Sequence, residues 1–281
     1  MRRLAWSLVL LLAACGQEPV VPDAAAPSSG ARVFYQEATW APDGASLLLS
    51  RHEDGRFRIY RVGADGADLT PLTDGPDSWT SWSPDGSRFV FHSERDGNGE
   101  IYVADANGSG QRPITTTASD ETTPAWSPDG TRIAFVSERD GEAQLGVMEA
   151  DGGATRQLEI VEGEPHNPSW SPDGERIVFF TTVGEDDWIE TIRSDGTSHH
   201  RVARGIFPDW SPVGDRILYT RDHTIYTAAP DGEDERILVE DGFAGRWSPD
   251  GREVAFIRGR WPSSEVWVTS ADGTGTHLLT R

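Results

Sequence analysis

The 281-residue chain has a formal net charge of −21, because 46 acidic residues oppose 25 arginines and the chain has no lysine. Such a charge repels nucleic acid and anionic lipid headgroups, so we expect no nucleic-acid partner. Cys15 is the only cysteine, which excludes an intramolecular disulfide. A chain of this length can bury a large core without one.

The first 14 residues predict an export signal. Arg2 and Arg3 form a short positive segment, and residues 4–14 form an apolar segment too short to span a membrane stably. The small residues Ala13 and Ala14 precede Cys15, which resembles a bacterial lipoprotein signal. We therefore expect residues 1–14 to be a signal peptide and Cys15 to carry lipid. The alternative is an ordinary signal peptide followed by an incidental cysteine.

Residues 15–30 then predict a flexible tether, because they are rich in Pro, Ala, Ser and Gly. Glycine rather than aspartate follows Cys15, which by analogy with enterobacterial lipoprotein sorting favours the outer membrane. We expect the protein to be lipid-anchored in the bacterial cell envelope, on the periplasmic side of the outer membrane, as a monomer. Residues 31–281 remain for the folded domain.

A pentapeptide repeated six times dominates that domain. The sequence Trp-Ser-Pro-Asp-Gly, or a variant with one change, begins at Trp40, Trp82, Trp126, Trp170, Trp210 and Trp247. The tryptophans lie 42, 44, 44, 40 and 37 residues apart, and a period of about 40 residues indicates a repeat architecture. Pro, Asp and Gly favour a tight turn, and each tryptophan offers a large surface for burial.

Each repeat continues with two β-rich runs, a tight turn and a short final run. The turns are Asp-Gly or Asn-Gly pairs, which strongly indicate hairpins; they begin at Asp65, Asn107, Asp151, Asp195, Asp231 and Asp272. No segment beyond the N-terminus has a convincing helical period. Each repeat is therefore predicted to form four antiparallel strands, a to d, with the tryptophan at the end of strand a. We expect an all-β, six-bladed β-propeller of four-stranded antiparallel blades.

The spacing of the repeat differs between its two ends. The distance from tryptophan to hairpin turn is 25 residues in five repeats and 21 in the fifth. From that turn to the next tryptophan the distance varies from 15 to 19 residues. The a–b and c–d turns should share one end of the propeller, the uniform end. The b–c and d–a loops should share the other, the variable end, where a rigid scaffold usually carries its binding residues.

The motif and the segment 93–103, Ser-Glu-Arg-Asp-Gly-Asn-Gly-Glu-Ile-Tyr-Val, resemble the repeat of the TolB-type propeller over about residues 33–281. The same repeat occurs in the propeller domains of prolyl-oligopeptidase-like peptidases. The resemblance implies six blades and binding of an envelope protein or an extended peptide. We expect neither the N-terminal domain of TolB nor the hydrolase domain of the peptidases. We also expect the first and last blades to meet by packing alone, without strand exchange.

No catalytic motif stands out. The chain has no Gly-x-Ser-x-Gly nucleophile elbow, no His-Glu-x-x-His and no cysteine cluster. Asp96, Asn98 and Glu100 alternate like the start of a calcium loop, but the closing glutamate and the sixth-position glycine are missing, and a hairpin turn explains them better. We therefore expect no cofactor, no metal and no enzymatic activity. The alternative is a glycan lyase or hydrolase that acts at the channel mouth.

The candidate partner-binding residues lie in or near the loops of the variable end. Aromatic side chains are enriched at interface hot spots, although they also pack between blades, and a histidine or carboxylate there could face the channel mouth. Trp79, which lies outside the motif, is expected to matter less for stability than Trp126. The candidates are Asp77, Trp79, Glu121, His166, Phe207, Phe243 and Trp261.

Overall fold

The computed structural model describes residues 33–139 and 141–280. These residues form 24 strands and no helix, and the strands build six separate four-stranded antiparallel sheets. The predicted all-β, six-bladed propeller is confirmed. No helix in the described ranges is long and apolar enough to cross a membrane.

The blades follow the chain, and each uses four consecutive strands in the order a to d. Blades 1 to 3 comprise β1 Phe34–Trp40, β2 Ser46–Glu53, β3 Arg56–Gly63, β4 Thr70–Pro71; β5 Asp77–Trp82, β6 Arg88–Ser93, β7 Glu100–Asp105, β8 Arg112–Pro113; β9 Asp120–Trp126, β10 Arg132–Arg139, β11 Glu142–Glu149, β12 Thr155–Leu158. Blades 4 to 6 comprise β13 Glu164–Trp170, β14 Arg176–Val183, β15 Asp186–Arg193, β16 His200–Arg204; β17 Ile206–Trp210, β18 Ile217–Arg221, β19 Thr224–Ala228, β20 Arg236–Val239; β21 Phe243–Trp247, β22 Glu253–Arg260, β23 Ser263–Ser270, β24 His277–Leu278.

The hydrophobic core lies between neighbouring blades. All six motif tryptophans are buried, with 7–9% of their surface exposed. Trp126 of blade 3, for example, shares a cluster with Val90 and Ile101 of blade 2 and with Phe135 of its own blade. The repeated tryptophan therefore joins each blade to its neighbour.

The motif also shapes its own turn. Asp85 accepts hydrogen bonds from the Ser83 hydroxyl at 2.7 Å and from the Ser87 amide at 3.0 Å. These hydrogen bonds lower the pKa of Asp85 to about 2, mainly through Ser83. Since its carboxylate is already occupied by the turn, this repeated aspartate has a structural role.

Blades 1 and 6 meet and close the ring of six blades. The Ser264 hydroxyl accepts a hydrogen bond from the Tyr35 amide at 2.7 Å and donates to the Tyr35 carbonyl at 3.0 Å. The Ser264 amide donates to the Val33 carbonyl at 3.1 Å. Within the described residues the predicted absence of strand exchange is confirmed. Closure by packing alone is corrected, because these hydrogen bonds also join the two blades.

The Asp-Gly hairpins bring each blade against the outer strand region of the blade before it. Gly66 of blade 1 has φ +80°, and a Cβ at this position would collide with the carbonyl oxygen of Leu279 in blade 6. Equivalent collisions with the preceding blade occur at Gly108, Gly152, Gly232 and Gly273. Glycine is thus needed at this position for the turn and also for the contact between blades.

Candidate functional site

Every strand a has a β-bulge upstream of its motif tryptophan. In blade 2 the bulge residue is Trp79 with φ +53°, and in blade 5 it is Phe207 with φ +52°. A positive φ is uncommon for large side chains, so these positions are held by the surrounding structure. Side chains normally alternate between the two faces of a strand. The bulge interrupts this alternation and changes the direction of the bulged side chain.

The side chains of Trp79 and Phe207 meet across the propeller axis. Blades 2 and 5 lie opposite each other in a ring of six, yet the two rings stack with centroids 6.1 Å apart at 27°. Trp79 is 7% exposed and Phe207 is 3% exposed. The Phe207 ring also meets Phe180 edge-on at 6.0 Å. The rings of Trp79 and Phe207 therefore close the channel just below its mouth; we call them the aromatic floor.

Buried and partly buried charged side chains form a second layer between the inner strands. Arg246 lies 4.0 Å from Asp209 and donates to the Pro208 carbonyl at 3.0 Å. Glu37 accepts hydrogen bonds from the Ser50 hydroxyl at 2.8 Å and from the Thr80 amide of blade 2 at 2.5 Å. Burial raises the pKa values of Glu37 and Asp209, and the positive charge of Arg246 opposes that rise. The sequence analysis missed this layer.

Asp77 is fully buried and pairs with an arginine of its own blade. Both of its carboxylate oxygens accept hydrogen bonds from Arg95 Nη2, at 2.9 and 2.8 Å. The Arg95 guanidinium also stacks on Tyr102, 4.7 Å from the ring centroid. A buried, paired carboxylate of this kind fixes the variable end of blade 2.

Glu121 is also buried, but its partner is a second carboxyl group. It is 2% exposed and accepts hydrogen bonds from the hydroxyls of Thr117 at 2.8 Å and Ser137 at 3.1 Å. The carboxyl group of Glu100, which is 4% exposed, also binds Thr117, whose amide donates to it at 2.8 Å, so the two carboxyl groups are neighbours. Burial, together with Glu100, raises the pKa of Glu121 to about 7.

Phe243 is buried in the interior, and His166 is half-buried. The His166 ring lies 4.9 Å from that of Phe180, and burial lowers the pKa of His166 to about 4. His166 is therefore neutral at pH 7. Phe243 is 7% exposed and belongs to the cluster that contains Phe207.

Trp261 is the one candidate that reaches the surface. It forms the b–c turn of blade 6 with Pro262 and is 37% exposed. Its ring rests edge-on against Phe34 at 5.4 Å and against His52 at 4.9 Å. Val161, in the loop between blades 3 and 4, is 83% exposed at the same end. Trp261 thus lies accessible on the rim of the variable end, and its contacts with Phe34 and His52 hold its ring in place.

Among the seven predicted site residues, the structure stacks Trp79 on Phe207. Phe243 belongs to the same buried cluster as these two residues, and His166 contacts Phe180 of that cluster. Asp77 and Glu121 contact their own neighbours, and partner contact remains a prediction for all seven. The expectation that Trp79 matters less than Trp126 rested on its place outside the motif. That reasoning is wrong, because both tryptophans are 7% exposed.

A cleft at the uniform end differs in character. It has a volume of about 560 Å³ and is lined by Arg88, Thr131, Arg132, Glu149, Ala150 and Asp151. Its arginines already cover motif tryptophans: Arg88 lies 5.3 Å from the Trp126 ring, and Arg132 lies 4.7 Å from the Trp170 ring. These side chains therefore serve the contacts between blades. In residues 33–139 and 141–280, no cluster of three or more His, Cys, Asp or Glu is placed to hold a metal ion.

The fold and the repeated turns define a β-propeller with a closed channel. The model of the TolB β-propeller domain family matches residues 74–243, and the chain belongs to that family. The resemblance seen in the repeat is thereby confirmed. A comparison with curated protein sequences found no match.

Several solved structures share this fold. TolB from Acinetobacter baumannii superposes with a TM-score of 0.70 at 18% identity, covering 86% of this chain and 62% of that TolB. A putative TolB from Agrobacterium tumefaciens gives 0.59 at 24% identity, covering 88% of this chain and 80% of its own. An oligogalacturonate lyase from Vibrio parahaemolyticus gives 0.56 at 12% identity, covering 85% and 90%. The chain thus spans less than two thirds of the Acinetobacter TolB, and these likenesses concern the fold.

Proposed function

We propose that this protein is a non-enzymatic lipoprotein of the bacterial cell envelope that binds a protein or an extended peptide at the variable end. The observation that carries the proposal is Trp261, an exposed aromatic side chain held against Phe34 and His52 on the rim. A rigid, partly exposed tryptophan is the type of residue that anchors protein interfaces. Its support by two rings means that little side-chain freedom is lost on binding.

The closed channel favours binding over channel catalysis. Trp79 and Phe207 form a floor below the mouth, so a partner would rest on the variable end and would not thread through the axis. The repeated turn aspartates of the uniform end, such as Asp65 and Asp151, are engaged by their own turns, at 3.0 Å to the Ala67 amide and 2.9 Å to the Gly153 amide. The net charge of −21 favours a basic partner surface.

The binding proposal predicts a specific loss for Trp261→Ala. Removing a true anchor should weaken the complex by about 2 kcal/mol or more, which is about a 30-fold rise in Kd. The partner would be captured from detergent-solubilised envelopes by the intact protein, identified, and its affinity measured by surface plasmon resonance. Asp151→Asn, at the opposite end, is the matched control and should leave Kd unchanged. Equal affinities for the Trp261→Ala variant and the unaltered protein would contradict the assignment.

Cys15 is proposed as the lipid attachment site, and it lies outside the described residues. The proposal rests on the apolar segment and the small residues that precede it. We expect Cys15→Ser to abolish incorporation of radiolabelled palmitate, and either to block normal signal cleavage or to release the domain from the membrane fraction. Undiminished labelling of the variant would refute lipidation at this residue.

A second candidate function is a glycan lyase or hydrolase, and one observation favours it. Glu100 and Glu121 form a carboxyl pair in which the pKa of Glu121 is raised to about 7, as in a general acid. Both side chains are buried below the loop at 116–118, which argues against direct contact with a glycan. Turnover of oligogalacturonate by the protein, lost in Glu121→Gln, would establish the enzyme; absence of turnover would favour the binding protein.

A further inference from the structure

Blades 2 and 3 meet at two buried carboxyl groups that lack a positive partner. Glu100 is the first residue of β7, and Glu121 is the second residue of β9. They are 4% and 2% exposed, and both bind Thr117: Glu100 Oε1 accepts from its amide and Glu121 Oε1 from its hydroxyl, each at 2.8 Å. Two carboxylates this close repel each other unless a proton or a cation lies between them.

In each of the two carboxyl groups, only one of the two oxygen atoms accepts a hydrogen bond. Glu100 Oε1 accepts from the Thr117 amide at 2.8 Å and from Asn98 Nδ2 at 3.1 Å. Glu121 Oε1 accepts from the hydroxyls of Thr117 and Ser137. The Oε2 atoms of both glutamates are buried and have no hydrogen-bond partner among the described residues. Buried acceptors without a partner are costly, so these two atoms indicate a missing ligand.

In blade 2, the equivalent buried carboxylate is paired with an arginine of the same blade. Asp77 occupies the position of Glu121, five residues before the motif tryptophan, and Arg95 pairs with it at 2.8 Å. The arginine at the matching position of blade 3 is Arg139, which is exposed and donates instead to the Ser119 hydroxyl at 3.2 Å. Among the described residues, no salt bridge reaches Glu100 or Glu121. Blade 2 thus supplies a cation from its own chain and blade 3 does not.

We propose that Glu100 and Glu121 bind a hard divalent cation, Ca²⁺ being the best fit, through their free Oε2 atoms. The two carboxylates supply oxygen ligands, and the carbonyls of Thr117 and Ser119 lie beside them, where they accept from Asn98 Nδ2 at 3.2 and 2.7 Å. Oxygen ligands, flexible geometry and added water molecules suit Ca²⁺.

The loop above the pair provides access for the ion. Thr117 and its neighbours in 116–118 are exposed, so the carboxyl groups lie directly beneath a surface segment. Two carboxylates form a site of low charge, which corresponds to a Kd of about 10⁻⁴–10⁻³ M, as in extracellular calcium modules. The cation would take the place that Arg95 occupies in blade 2 and would tie blade 2 to blade 3.

Thermal unfolding of the full-length protein tests the site. At pH 8, 5 mM CaCl₂ should raise Tm by about 2–4 °C relative to EDTA with NaCl of equal ionic strength. Glu121→Gln should lose this shift. Asp77→Asn is the matched control: it removes the carboxylate at the equivalent position of blade 2, so it should lower Tm but keep the calcium shift.

Two results would overturn the proposal. A calcium shift of unchanged size in Glu121→Gln would mean that the ion binds elsewhere on the acidic surface. No shift in the unaltered protein would mean that the pair shares a proton. Calorimetry of the unaltered protein keeps the test independent of the variants: one saturable Ca²⁺ site per chain supports the proposal, and diffuse, unsaturable binding contradicts it.

Discussion

Gly66→Ala is expected to destabilise the protein by about 2–5 kcal/mol. The left-handed backbone at φ +80° costs an alanine about 1–2 kcal/mol, and displacing the Leu279 carbonyl of blade 6 adds about 1–3 kcal/mol. The contact lies where the first blade meets the last, so the change acts on ring closure. Urea unfolding gives the free energy directly.

Gly55→Ala is the matched control in the same blade. Gly55 has φ +81°, but a Cβ there would meet nothing within 4 Å. It should therefore cost only the backbone term of about 1–2 kcal/mol. If the two variants lose equal stability, the contact between Gly66 and blade 6 contributes nothing, and the close packing of the hairpin against the preceding blade has been misread.

Trp126→Ala is the second large effect, with an expected loss of about 3–5 kcal/mol. Its ring is buried between blades 2 and 3, its Nε1 donates to the Gly130 carbonyl at 3.1 Å, and the Arg88 guanidinium covers it. Truncation would leave a cavity at the interface between two blades. Urea unfolding at equilibrium measures the loss.

The same substitution at Trp79 and at Trp261 provides two comparisons for the stability loss at Trp126. Because Trp79 is as buried as Trp126, Trp79→Ala should now fall in the same range of about 3–5 kcal/mol. Trp261→Ala should cost about 1 kcal/mol, since the residue is 37% exposed and only its contacts with Phe34 and His52 are lost. A loss at Trp261 equal to that at Trp126 would mean that Trp261 is structural.

The repeat made the architecture predictable. Each motif combines a residue to bury with a turn that forms from its own side chains, and Asp85 with Ser83 shows that the turn needs no outside partner. Hairpin signals such as Asp65-Gly66 fixed the c–d turns. Such local chemistry can be identified from a single sequence because each signal lies within a few residues.

The site was harder to predict because it depends on distances between blades. Nothing near Trp79 in the sequence indicates a bulge at φ +53° or a stack on Phe207, 128 residues away along the chain. Trp79 therefore looked like a surface aromatic residue when it closes the channel. One signal was available: the polar residue directly before the motif tryptophan, Asp209 in blade 5 and Arg246 in blade 6, marks the inner layer.

The carboxyl pair shows the same limit. Glu121 was singled out as a candidate in the d–a stretch, but its contact with Glu100 crosses from blade 3 to blade 2. Aligning the repeats would have shown that Glu121 stands where blade 2 has Asp77. That comparison needs the structure of blade 2, where Arg95 binds Asp77, to become informative.

The central claim is that the variable end is the binding surface, and hydrogen–deuterium exchange of the complex tests it most directly. With the captured partner bound, amides at 159–163 and 260–264 should gain protection, because these segments carry Val161 and Trp261. The Asp-Gly hairpins at 65–66 and 151–152 should exchange as in the free protein. Protection confined to the hairpins, with the loops unchanged, would place the partner at the uniform end and contradict the account.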